Sequence, residues 1–138
     1  MSSANIIPAL RYKYAHKAIE WLCDVLGFKK YVVFETDRVV HHAQLTFGNG
    51  MIMIGSSRNG PFDDLTQIPC DINNYNTQSP YLFVENLDHF YKSVKSKGAE
   101  LTLPLKEEPH GAGFTCRDPE GYLWNFGDMN PWQNKPNV

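Results

Sequence analysis

The chain has 138 residues, of which 42% are hydrophobic and 20% charged, and its net charge is −2 with histidine neutral. That length suits one domain, and the composition excludes a disordered chain. No basic stripe points to nucleic acid, and the longest apolar runs, such as Met51-Ile52-Met53-Ile54, are too short to span a bilayer.

The amino terminus, Met1-Ser2-Ser3-Ala4-Asn5, has no basic region leading into a long apolar core. No secretory signal is therefore expected, and the cytoplasm is the expected location. Cys23, Cys70 and Cys116 share no Cys-x-x-Cys spacing and suit free thiols in a reducing compartment.

In chain order, Ile6 to Tyr12 reads as a short strand. From Ala15 to Leu26 the residues Ala18, Ile19, Leu22, Val25 and Leu26 form an apolar stripe at helical spacing, and Gly27 follows where a left-handed stop is wanted. Phe28 to Glu35 is β-branched and aromatic, a strand composition. Val39 to Phe47 alternates, with His42, Gln44 and Thr46 on one face and Ala43, Leu45 and Phe47 on the other. Gly48-Asn49-Gly50 reads as a hairpin turn, and Met51 to Ile54 as the returning strand.

The order strand, helix, strand, strand, strand then recurs. Tyr81 to Glu85 is a strand, and Asn86 to Lys97 a helix with Leu87, Phe90, Tyr91 and Val94 on one side, ended by Gly98. Ala99 to Leu103 and Gly113 to Arg117 are strands, Asp118-Pro119-Glu120-Gly121 is a turn, and Tyr122 to Gly127 is the last strand. The expectation is one domain over 1–138: a first module of about 5–56, a connector 57–78, a second module of about 79–128 and a tail 129–138. The connector is either an ordered flap over a pocket or an inert link, and Trp132 is a candidate anchor for the tail.

With that pattern in place, Ala18-Ile19-Glu20-Trp21-Leu22 running into Leu26-Gly27-Phe28, and Arg117-Asp118-Pro119-Glu120-Gly121-Tyr122-Leu123-Trp124-Asn125-Phe126-Gly127, carry a resemblance. From Ile7 to Asp128 the chain resembles the glyoxalase/bleomycin-resistance/extradiol-dioxygenase (vicinal oxygen chelate) superfamily, and within it a glyoxalase-like branch of unassigned activity. The resemblance implies an α+β fold in which two βαβββ modules form a curled mixed sheet around a cavity. It also implies a homodimer.

In metal-dependent members of that superfamily the ligands lie on the first, fourth, fifth and eighth strands. The resemblance carries those positions onto Ile7, Met53, Ser79 and Asn125, none of which is a carboxylate, imidazole or thiolate. The implied fold is therefore expected without the implied metal: no cofactor, with a divalent metal disfavoured. Strand parity puts Arg11, His42, Gln44, Met51, Tyr81, Phe83, Phe114 and Cys116 on the inner face, and Tyr122, Trp124 and Phe126 on the other, under a helix.

The expected ligand-binding set is thus Arg11, His42, Gln44, Met51, Met53, Ser79, Tyr81, Phe83, Phe114 and Asn125, with His42 the candidate acid–base residue. A small-molecule ligand is expected as partner, with no nucleic acid and no membrane. The leading expectation is a metal-free binder of a small hydrophobic or aromatic molecule, as the resemblance to drug-resistance proteins implies. Open alternatives are a glyoxalase-like lyase/isomerase or dioxygenase using His42, Glu107 or Glu108, and His110 as a displaced metal site, or metal-free acid–base catalysis by His42. Whether any reaction is catalysed stays open, because one scaffold hosts many chemistries.

Overall fold

The computed structural model describes residues 4–133. The chain divides into two compact units between Asn73 and Asn74, within the expected connector. Both asparagines take left-handed backbone conformations (φ 58° and 63°), which this side chain tolerates better than most.

The first unit runs β1 (Ala9–Tyr12), α1 (Ala15–Trp21), β2 (Lys29–Thr36), β3 (Val39–Phe47) and β4 (Gly50–Ser56). Its sheet has the order β1-β4-β3-β2, with β1 parallel to β4 and the other pairs antiparallel. The second unit repeats the plan with β5 (Tyr81–Phe83), α2 (Leu87–Ser96), β6 (Glu100–Glu108), β7 (Gly111–Arg117) and β8 (Leu123–Gly127). Its order is β5-β8-β7-β6, again with one parallel pair, β5 with β8. The chain is therefore α+β, with two βαβββ modules and two open four-stranded mixed sheets.

Each sheet buries one face under its own helix. In the first unit the register aligns Leu10, Ile54 and Ala43 across three strands and sets Leu45 beside Ile52. These side chains meet Ala15, Ala18 and Ile19 of α1, all nearly inaccessible. Burial of each large aliphatic group contributes about 1.5–3 kcal/mol. After Trp21 the helix widens into a π-helical turn over Leu22–Leu26, which sends Leu22, Val25 and Leu26 inward together before Gly27 (φ 86°) stops it. The stripe read from the sequence is right, but its last turn is not α-helical. In the second unit α2 ends in a Schellman arrangement: the Gly98 amide donates to the Lys95 carbonyl and the Ala99 amide to that of Val94.

The second core is aromatic. Phe114 stacks on Phe126 at 5.1 Å between centroids, and Phe90 and Tyr91 of α2 close on that pair at 4.9 Å each. Trp124 is fully buried beside it, and its indole N–H donates to Asp118 at 3.1 Å. The other Asp118 oxygen accepts from the Glu120 and Tyr122 amides at 3.0 Å each, so one carboxylate organises the turn into β8.

Several expected boundaries move. The first strand begins at Ala9, although Pro8 already accepts a hydrogen bond from the Met53 amide. β6 continues through irregular pairing to Glu108, so Glu107 and Glu108 sit in a strand rather than a loop. Trp132 is 92% exposed and anchors nothing, and residues 134–138 of the expected tail lie outside the described residues. Among the described residues no helix is long and apolar enough to cross a membrane.

Candidate ligand-binding site

The sheet faces turned away from the helices carry the polar positions. In the first unit Arg11, His42, Gln44, Met51 and Met53 share that face: Gln44 pairs with Met53, and Arg11 with Gly55 on the same strand. Gln44 links its neighbours, its Oε1 lying 3.0 Å from His42 Nε2 and its Nε2 donating to Met51 Sδ at 3.4 Å. The amide oxygen only accepts, so it holds the imidazole with Nε2 protonated and leaves Nδ1 as the basic nitrogen. His41, next along β3, is exposed and meets the Arg58 guanidinium at 3.2 Å.

Arg11 is not a free anion receptor. Its Nε donates to Asp63 at 3.1 Å, its guanidinium lies 4.8 Å from the centre of the Phe62 ring, and its fork crosses Gly55, where a Cβ would stand 2.8 Å from a guanidinium nitrogen. The Arg58 amide, and to a smaller degree Arg11, hold the Asp63 carboxyl below its ordinary value. The first part of the connector is therefore ordered and closes over Arg11, while Lys13 pairs with Asp71 further along.

In the second unit β8 sets Asn125 beside Tyr81 on one side and Thr115 on the other, and these side chains share the face away from α2 with Phe83. Asn125, Tyr81 and Thr115 line a concavity of about 510 Å³ walled also by Leu103, Pro104 and Met129. Lys106 and His110 border it; Lys106 is 75% exposed and ion-paired to Glu108. Thr115 donates to Asn125 Oδ1 at 2.8 Å, and Asn125 Nδ2 donates to Ser79 Oγ at 2.7 Å and to the Pro80 carbonyl at 3.0 Å. The Tyr81 ring lies directly over Gly127, where no Cβ would fit, and its hydroxyl donates to the Met129 carbonyl at 2.7 Å. Burial pushes the Tyr81 phenol above its ordinary value, so it stays a donor.

Two expected positions are corrected. Phe114 pairs with Phe126, and Cys116 with Trp124, so both lie on the helix face and not on the inner one. Phe114 borders the concavity, but its ring belongs to the aromatic core. Cys116 is fully buried, and burial pushes its thiol up to about 12, which removes it as a nucleophile. The residue missed is Thr115. A one-residue change of parity exchanges the faces of a whole strand, and the pattern Phe114-Thr115-Cys116 already set the apolar pair toward the helix and the polar residue between them away from it.

A family model of the Glyoxalase/Bleomycin resistance protein/Dioxygenase superfamily matches residues 8–126. The chain belongs to this superfamily. No curated protein matches its sequence. Among solved structures, TioX from Micromonospora sp. ML1 is 23% identical with a TM-score of 0.71, covering 93% of this chain and 100% of that one. The bleomycin-binding protein from bleomycin-producing Streptomyces verticillus, complexed with copper(II)-bleomycin, is 18% identical with a TM-score of 0.65, covering 94% and 99%. A variant of the fosfomycin resistance protein FosX from Listeria monocytogenes, complexed with manganese(II) and a dihydroxypropylphosphonic acid, is 14% identical with a TM-score of 0.65, covering 96% and 98%. At these identities the likeness is one of fold.

The superfamily includes metal-dependent members, and the residues here do not fit a divalent ion. Of the positions carried over by resemblance, Ile7 has no donor atom and Met53 only a thioether. Ser79 and Asn125 bond to each other, and both Asn125 amide hydrogens are spent on Ser79 and Pro80. Glu107, Glu108 and His110 are exposed on and beside β6, and among the described residues no three His, Cys, Asp or Glu side chains gather to hold a metal ion.

Proposed function

We propose that the chain is a binding member of the superfamily that takes a small hydrophobic or aromatic molecule without a metal. The observation that carries this reading is the second unit's concavity, whose walls are mostly apolar, with Lys106, Glu108 and His110 at the border, and whose floor carries the neutral Thr115–Asn125 pair. Apolar walls with a few placed polar groups are the usual make-up of a small-molecule site. Tyr81 and Phe83 belong to the proposed ligand-binding residues of the second unit; on the first unit, taken by itself, the proposed ligand-binding residues are His42, Gln44, Met51 and Met53, with Arg11 contributing through packing, its charge being met by Asp63. Association of two copies belongs to the same proposal and is read by sedimentation velocity. The primary test is native mass spectrometry with elemental analysis of one sample: an organic adduct without divalent metal is expected, and one equivalent of a tightly held divalent ion overturns the reading.

A second reading is favoured by the His42–Gln44 bond, which leaves Nδ1 free to take a proton. On that reading His42 is a metal-free acid–base residue. Unchanged turnover of an identified substrate by His42→Ala eliminates it.

A further inference from the structure

The hydrogen-bond polarity of the concavity floor is set by one backbone carbonyl. A carbonyl oxygen only accepts, so the Asn125 side-chain atom 3.0 Å from the Pro80 oxygen must be the amide nitrogen. That choice turns Oδ1 toward Thr115, whose hydroxyl must then spend its single hydrogen on Oδ1 at 2.8 Å. Both hydrogens of the amide are occupied, by Ser79 and Pro80. The Tyr81 hydroxyl hydrogen is likewise spent, on the Met129 carbonyl.

Thr115 is 93% buried, at 7% relative exposure, and lines the concavity with Asn125. What these two side chains can still offer is lone pairs: those of Thr115 Oγ and the second one of Asn125 Oδ1. We infer that the ligand of this concavity is a neutral aromatic or apolar molecule carrying an O–H or N–H group, which it donates to Thr115 Oγ. At Thr115 and Asn125 a carboxylate or phosphate meets only acceptors and is disfavoured; the cationic Lys106 stands at the border, already paired with Glu108. The inference rests on the proposed reading of the concavity as a small-molecule site and names the chemistry of its occupant.

Indole and 1-methylindole test it, since the ring is shared and only the donor differs. Binding to the full chain is measured by isothermal titration, with contacts mapped by NMR shifts of the Thr115 methyl and the Asn125 side-chain amide. The wild type is expected to prefer indole by about tenfold, the value of one well-made hydrogen bond. Thr115→Val removes the acceptor while keeping the shape and should bring the preference to within about twofold, whereas Thr115→Ser should retain it. Equal affinity of the wild type for both probes, or a preference that survives in Thr115→Val, overturns the inference and leaves the small-molecule reading standing. Binding of neither probe at these residues overturns that reading and the inference together.

Discussion

Asp118 offers the sharpest test of how the second unit is held. Its carboxylate accepts from two backbone amides at 3.0 Å and from the Trp124 indole at 3.1 Å, and it is 4% exposed. In Asp118→Asn, Oδ1 can keep both amides, but the new NH2 group faces the indole N–H, donor against donor. One charge-assisted bond is lost and a buried donor is left without its acceptor, a cost of about 2–3 kcal/mol. Asp118→Ala removes all of these acceptors at once and should cost about 4–5 kcal/mol, a large part of the roughly 5–15 kcal/mol that holds a domain together. Urea unfolding followed by far-ultraviolet circular dichroism reads both variants and also Trp124→Phe, which lacks the indole donor. In the double variant Asp118→Asn/Trp124→Phe the donor clash is gone, so the combined loss should fall short of the sum by about 1–2 kcal/mol. An Asp118→Asn protein within about 0.5 kcal/mol of the wild type, or strictly additive losses, refutes the assignment.

Gly127→Ala should displace Tyr81, because the added methyl occupies the space of its ring; a loss of about 1–3 kcal/mol is expected, together with faster hydrogen exchange at the Ala112 amide, which donates to Asp128 at 2.9 Å. The Cys116 thiol is pushed from 9.0 to about 12 by burial, with Asp118 adding to the rise. Above pH 9 the unfolded chain therefore holds fewer protons than the native one, so stability should fall as pH climbs toward 12, and less steeply in Cys116→Ala. In thiol labelling at pH 8, exposed Cys70 should react first, and Cys116 only on unfolding. Asp63 should titrate below 3.8 by NMR, and its midpoint should rise in Arg11→Met; its contribution is present above that value and lost as pH falls through the lowered one.

The sequence by itself determined the repeated strand–helix–strand–strand–strand order. The reasons are local: helical stripes ended by Gly27 and Gly98, alternation along Val39–Phe47, and the turn at Asp118–Gly121. On the first sheet it also placed His42, Gln44, Met51 and Met53 on one face, because regular antiparallel pairing preserves parity from strand to strand. Tertiary structure decided what depends on a partner distant in the chain. The β7–β8 register, which sets Phe114 beside Phe126 and Thr115 beside Asn125, exchanged the expected roles of Phe114 and Thr115. Asp63, 52 positions beyond Arg11, met the charge of a residue expected in the ligand-binding set. The direction of the Asn125 amide, and with it the polarity of the floor, follows from a carbonyl 45 residues earlier. Periodicity tells a residue which side of its own strand it faces; only the folded chain brings it the partner that decides what its lone pairs and protons are free to do.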